Sequence, residues 1–214
     1  MTKNIVTGAA GFIGSHIAET LLKKGEEVIG IDEFNDYYDP FFKNKNIACL
    51  KAYDNFELIE ADIQFIDWNS LLKDVDVVYH QAAQAGVRAS WGQGFRFYTE
   101  RNISATQVLL EAAKDAKNLK RLVYASTSSV YGDAETLPTS ELICPKPVSP
   151  YGITKLAAER LCGLYHKNFG VPFVEQRYFK VYGPRQSPDM AFHKIFKAVI
   201  EDEAIPVYGD GLQT

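Results

Sequence analysis

The sequence predicts an α/β fold built as a doubly wound parallel sheet, followed by the start of a smaller C-terminal domain. Three observations carry that expectation. Short apolar runs alternate along the chain with longer segments of helical period. The first run leads directly into a glycine turn, Thr7-Gly8-Ala9-Ala10-Gly11-Phe12-Ile13-Gly14, that opens a helix. The second run ends on Asp32, 18 residues after Gly14.

The elements follow in order. Lys3–Thr7 is apolar enough for a buried parallel strand. The helix after it covers 12–24, with Ile13, Ile17, Leu21 and Leu22 on one side. The second strand is 27–31. A polar, aromatic insert then runs to Asn55, with a short helix between Pro40 and Lys51. Phe56–Glu60 reads as a third strand leading to Asp62 and Ile63, 68–73 as a short helix, and 75–80 as a fourth strand. The spacing predicts one long helix over about 95–116, with Ile103, Val108, Leu109 and Ala112 facing inward. The fifth strand is 119–125. Ser149-Pro150 then starts a helix over 150–169 that Gly170 stops. The sixth strand is 172–179. Such an order places parallel strands between helices on both faces.

Beyond Phe179 the pattern changes. Residues 183–188 read as loop, 191–200 as helix, and 205–211 as the start of a strand and turn. A strand begun there needs a partner. The expected organisation is one domain over 1–179 and the incomplete beginning of a second over 180–214, in a chain that reads as truncated. No internal repeat and no low-complexity segment is present.

A formal charge of −4 and a pI near 5.6 give no general attraction to nucleic acid or anionic membrane. No apolar run approaches the roughly 20 residues that span a bilayer. The first strand begins at Lys3, which leaves no room for a signal peptide. Cys49, Cys144 and Cys162 have neither metal spacing nor a disulfide framework. A cytoplasmic location is the expectation. His16, His80, His166 and His193 show no metal spacing and receive no catalytic role.

The glycine turn is suited to a dinucleotide. Its glycines let backbone approach a pyrophosphate, and free N–H groups at the helix start meet the phosphates. The spacing is GxxGxxG. Asp32 at the end of the second strand can accept from the adenosine ribose hydroxyls and would repel a 2′-phosphate, favouring NAD over NADP.

Tyr151 and Lys155 are four apart on one helix and so share a face. A nearby ammonium is expected to lower the phenol's pKa, turning it into a base for a substrate hydroxyl. Ahead of them the fifth strand ends in Ser126-Thr127-Ser128-Ser129. Ligands of doubly wound sheets sit at the carboxyl ends of strands, so this hydroxyl run can hold a sugar oxygen. Thr127 is the candidate for the reacting hydroxyl, with Ser128 and Ser129 lining the site.

Taken together, these motifs resemble the extended short-chain dehydrogenase/reductases of Rossmann type, in particular the nucleotide-sugar 4-epimerases. The residues carrying the likeness are 7–16, Asp32, Asp62-Ile63, His80-Gln81-Ala82-Ala83-Gln84, 126–132, Tyr151 to Lys155, and 177–184. The resemblance implies an enzyme holding NAD throughout turnover and a C-terminal domain gripping a UDP-sugar. It implies that Gly8, Gly11, Phe12, Ile13, Gly14, Asp32, Asp62, Ile63, Ala82, Ala83 and Gln84 surround NAD, with Tyr151 and Lys155. It also implies Tyr151 as base, Lys155 as its modulator and nicotinamide-ribose contact, and Thr127 on the 4-hydroxyl. A homodimer through the two long helices is implied as well.

The best local likeness is to UDP-glucuronate 4-epimerases, on 85–92, 125–132, Gly183-Pro184-Arg185-Gln186 and 188–192. The chain departs from that pattern at Lys180 and Ser187. Lys180 is a candidate cation for a uronate carboxylate or the diphosphate, and Arg88 and Arg185 are further candidates. Related dehydratases and decarboxylases carry carboxylates where this chain has Ser128 and Ser129, so epimerisation is favoured. UDP-glucose or UDP-N-acetylglucosamine 4-epimerisation, dehydration or decarboxylation, and a non-catalytic NAD-binding role stand as alternatives.

Overall fold

The computed structural model describes residues 1–133 and 136–205. Six parallel strands form one sheet in the order β3-β2-β1-β4-β5-β6. They are β1 (Lys3–Thr7), β2 (Glu27–Asp32), β3 (Phe56–Glu60), β4 (Val77–His80), β5 (Arg121–Thr127) and β6 (Phe173–Tyr178). The helices are α1 (Phe12–Lys23), α2 (Pro40–Ala48), α3 (Trp68–Leu71), α4 (Phe95–Tyr98), α5 (Ala105–Ala113), α6 (Pro150–Phe169) and α7 (Ala191–Glu201).

Both sheet faces are buried, as a parallel sheet with crossover helices requires. Along β1 the side chains alternate. Ile5 joins Ile31, Val78, Leu122, Leu109 and Ala158 in the core under α3, α5 and α6. Its neighbour Val6 joins Val28, Ala18, Leu22 and Ile47 in the core under α1 and α2. The expected strand beginning at 205 lies almost wholly outside the described residues.

The structure corrects several expected boundaries. The long helix is broken: one π-helical turn, Thr99–Ser104, separates α4 from α5. That turn carries Asn102, which is buried and hydrogen-bonded to two other segments. Leu109 and Ala112 are buried as expected, whereas Ile103 and Val108 are only partly so. On α1 the buried stripe is Gly14, Ser15, Ala18, Leu21 and Leu22, not Ile13 and Ile17. Close packing of the glycine turn puts the small side chains inward. The third and fourth expected helical and strand segments also shorten, α3 giving way to a tight turn over Leu72–Asp74 and β4 starting at Val77. β5 runs to Thr127 because its polar end still pairs, Ser126 with Arg177 and Thr127 with Tyr178.

Helix α6 matches its expected limits. The Ser149 side chain accepts from Gly152 N at 3.1 Å, and Gly170 ends the helix in the left-handed conformation with φ 75°.

Candidate active site

The strands point their carboxyl ends at one edge, and the sheet order reverses beside β1, where β2 and β4 diverge. This is where open parallel sheets bind ligands. A cleft with about 870 Å³ of space opens there, lined by Gly8, Gly11, Asp32, Tyr38, Lys43, Asp62, Ile63 and Gln81 to Gln84.

Gly8 has φ +67°, and a Cβ there would meet Ala82 N at 3.0 Å. A Cβ on Gly14 would collide with the Gly8 carbonyl oxygen. The turn therefore folds back on itself more tightly than any other residue type allows. No side chain caps α1 at Gly11, which leaves its first backbone donors for a ligand. Phe12 packs edge-on against His16 at 5.8 Å, and Ile13 is partly buried behind the turn.

Asp32 is buried. Its Oδ2 accepts from Ala10 N at 3.1 Å, and its Oδ1 accepts from Phe34 N at 3.0 Å and from Lys43 Nζ at 2.9 Å. The sequence reading missed Lys43. Its signal was a lysine three and four residues before Asn46 and Ile47, on the buried face of α2. Asn46 in turn donates to Ala10 O at 2.9 Å. Asp62 accepts from Gln64 N at 2.9 Å beside Ile63.

Thr127 ends β5 and is 8% exposed. Its Oγ1 accepts from Ser129 N at 3.2 Å, and Ser128 and Ser129 form the partly buried turn that follows. Tyr151 stands on the first turn of α6, its ring edge-on to Tyr98 at 6.2 Å. Burial pushes the phenol's pKa up, while a hydrogen bond with the Thr127 hydroxyl pulls it down.

Lys155 is on the same face of α6 as expected, but its ammonium lies over the Tyr124 ring, 4.4 Å from the centroid. No hydrogen bond joins it to Tyr151 among the described residues. Burial pushes Lys155 down to about 7, against the opposing pull of Cys162 and Glu159. The expected lowering of Tyr151 by Lys155 is not found: burial raises the phenol, and the group that pulls it down is Thr127. The phenol instead leans on Thr127.

A buried polar network sets these groups in place. His80 Nδ1 is 2.8 Å from Thr7 Oγ1, and His80 Nε2 is 3.0 Å from Thr106 Oγ1. Thr7 Oγ1 accepts from Ala82 N at 3.0 Å, and Thr106 donates to Asn102 O at 2.7 Å. Each hydroxyl has its proton and lone pair assigned if Nε2 carries the imidazole proton. Burial holds His80 near 3, so the ring is neutral. Beneath the hydroxyl run, Arg177 grips Glu159 with Nε at 3.0 Å and Nη2 at 2.9 Å, and Ser126 donates to the same carboxylate. Neither Asn102 nor Glu159 stood out from the sequence, where each is an isolated polar residue, and Arg177 did so only as the first residue of the 177–184 stretch, with no role assigned.

The remaining candidates are not gathered at Tyr151. Arg88 is exposed in the turn Arg88–Ser90, and Lys180 is exposed just past β6. Arg185, with φ 65°, is committed to α1 through an ion pair with Glu19 and a 3.4 Å bond to Ser15.

The cleft fits a dinucleotide. Its cradle is space that a Cβ would fill, and the Gln81 side-chain nitrogen on its wall is buried without a hydrogen-bond partner among the described residues.

Comparison with known proteins agrees with this geometry. A Bacillus subtilis (strain 168) protein described as an uncharacterized UDP-glucose epimerase, YtcB, is 47% identical over 99% of this chain and 67% of its own length. The UDP-glucuronate 4-epimerase of Thermodesulfobacterium geofontis is 41% identical, over 98% of this chain and 65% of its own length. The crystal structure of the Bacillus cereus UDP-glucuronic acid 4-epimerase, in complex with UDP-glucuronic acid and NAD, superposes with a TM-score of 0.95 at 51% identity. It covers 99% of this chain and 67% of that one. The chain thus spans about two thirds of the length of the relatives it matches. No helix among the described residues is long and apolar enough to cross a membrane. The model of the NAD dependent epimerase/dehydratase family matches residues 4–214, and with the glycine cradle, Thr127, Tyr151 and Lys155 all in place the chain belongs to that family.

Proposed function

We propose that this chain is the cofactor-binding and proton-transfer part of an NAD-dependent UDP-glucuronate 4-epimerase. One observation carries the reading: at the end of β5 the Thr127 hydroxyl reaches the Tyr151 phenol and pulls its pKa down, with Lys155 one helical turn away and the glycine cradle at the same edge of the sheet, after β1. Domain 1–179 holds the cofactor, and 180–214 begins the part that grips the nucleotide-sugar. Gly8, Gly11, Phe12, Ile13 and Gly14 hold the pyrophosphate side. Asp32 holds the adenosine ribose, and Asp62, Ile63 and Ala82 to Gln84 wall the cleft.

Bound there, nicotinamide supplies a reversible hydride acceptor. The chain's own residues handle the proton and the orientation. Thr127 positions the sugar's 4-hydroxyl against Tyr151. The phenol oxygen takes the proton from that hydroxyl and returns it after the sugar has turned over. Thr127 stabilises the phenolate by its hydrogen bond, and Lys155 in its charged form stabilises it electrostatically. Ser128 and Ser129 line the sugar without a carboxylate, which removes the acid and base that elimination would need.

The uronate assignment draws on the substrates named for the Thermodesulfobacterium and Bacillus cereus proteins. The Bacillus subtilis relative's name favours UDP-glucose as the second reading. Lys180 and Arg88, both exposed, are the proposed carboxylate or phosphate contacts. Arg185 joins them once its pairing with Glu19 exchanges. Exposed Phe97, Ile153 and Leu164 on α4 and α6 support a homodimer, and the three unpaired cysteines support a cytoplasmic location.

Proton NMR of the full-length protein with UDP-glucuronate, then with UDP-glucose, tests the reading. A galacto-configured product from UDP-glucuronate alone supports it. Product from UDP-glucose alone moves the assignment to the neutral sugar, and no product from either overturns it.

A further inference from the structure

Asp32 and Lys43 make a closed ion pair on the cleft wall, 2.9 Å apart, with side chains 5% and 8% exposed. The carboxylate has further donors in Ala10 N and Phe34 N. The ammonium also donates to Asn35 Oδ1 at 3.3 Å. It lies over the rings of Phe34 and Tyr38, at 5.9 and 5.6 Å from their centroids. Both charges are therefore desolvated, and both residues line the cleft.

This arrangement changes what Asp32 can do. A lone carboxylate at the end of β2 rejects a 2′-phosphate by charge repulsion. Here an ammonium in direct contact offsets that charge, so the repulsion is weaker than Asp32 alone would give. The ammonium lines the same cleft as the carboxylate it contacts. Lysine binds phosphate as a point charge and needs no fork geometry. A buried cation that loses its carboxylate is left uncompensated and gains most from a new anion.

We propose that Lys43 is a selectivity residue for the dinucleotide: the Asp32 carboxylate occupies a cationic site that otherwise takes the 2′-phosphate of NADP. Asp32 excludes NADP chiefly by filling that site, and NAD preference belongs to the pair. The inference rests on the cleft being the dinucleotide site.

The test is calorimetric binding of NAD and NADP to the full-length protein freed of nucleotide. It compares the unchanged protein with Asp32→Asn, Asp32→Ser and Asp32→Ser/Lys43→Met, with folding checked by near-ultraviolet circular dichroism. Either single variant should raise the NADP:NAD affinity ratio at least about tenfold. The gain should fall steeply with salt and disappear in the double variant. Folded single variants with no gain, or a gain that survives Lys43→Met, overturn the proposal. Should neither Asp32 variant fold, Lys43→Met alone decides. It leaves the carboxylate uncompensated and must lower the NADP:NAD ratio, whereas an unchanged ratio overturns the proposal. Unchanged protein that binds neither nucleotide overturns the cofactor reading itself, and this inference with it.

Discussion

Asn102 Nδ2 donates to Thr154 Oγ1 at 3.0 Å, tying the π-helical turn to the helix that carries Tyr151. The same amide accepts from Gln84 N at 2.7 Å and donates to Gln84 O at 3.1 Å, and Thr154 in turn donates to Tyr151 O at 2.8 Å. One buried side chain thus fixes the cleft wall and the first turn of α6 relative to each other. Replacing Asn102 by Ala leaves the Gln84 N–H buried without its acceptor. The expected cost is about 1–3 kcal/mol, the penalty for one stranded buried group. Chemical denaturation checks this. A loss below the usual scatter of surface substitutions would remove the anchoring role.

Tyr151→Phe keeps the ring against Tyr98 and removes the oxygen that moves the proton. Turnover should fall by roughly a hundredfold to ten-thousandfold. NAD affinity should change little, which separates a chemical loss from a binding loss. Steady-state rates and calorimetry on the same full-length preparation give both numbers.

Glu159 is the carboxylate partner of Arg177, and the two side chains are 2% and 13% exposed. Glu159→Gln leaves the guanidinium buried without its charge partner. A destabilisation of about 3 kcal/mol is expected, at the lower end of the range for breaking a buried pair. Because the amide keeps one acceptor oxygen where the carboxylate had two, Ser126 and Arg177 must share it, so the hydroxyl run should loosen and the Michaelis constant for the sugar should rise with the fall in stability.

Lys155 gives a pH signature. Its folded value of about 7 lies below the ordinary 10.5, because burial penalises the ammonium. Below about 7 both folded and unfolded chains hold the proton, and the burial penalty is felt in full. As pH rises from about 7 toward 10.5 the folded chain releases the proton before the unfolded one, so stability rises. Lys155→Met removes the penalty. The nucleotide-free variant should melt several degrees above the unchanged protein at about pH 6, with the gap closing as pH rises through the interval. A gap that does not vary with pH would place the ammonium in water.

Gly14→Ala drives a methyl group into the Gly8 carbonyl, so the turn must open. NAD affinity should drop by at least about tenfold while the sheet remains folded. Calorimetric titration with NAD, with circular dichroism as the folding check, measures both.

The backbone plan was legible because its signals are local. The strands announce themselves as short apolar runs, and α6 is written by Ser149, Pro150 and Gly170, each acting within a residue or two of itself. Tyr151 and Lys155 were legible because a helix brings residues four apart together. What escaped were pairings between elements distant in the chain. Lys43 meets Asp32 only after the insert folds back. Asn102 meets Thr154 across 52 residues, and Glu159 meets Ser126 across 33. The π-helical turn escaped for the same reason, since helical period in 95–113 is continuous and the break serves a contact made elsewhere. The direction of Lys155 could not be read either, because a long flexible stem lets one backbone position serve Tyr151 or Tyr124.

The strand order also says how the sheet can be built during synthesis. β2 and then β3 add on one side of β1, and β4, β5 and β6 add in turn on the other. Every strand leaving the ribosome therefore meets an open edge of what has already formed, and none has to be threaded between two strands already joined. Assembly can proceed outward from β1 in the order of translation, with the Thr127 end of β5 receiving its last neighbour only when β6 emerges.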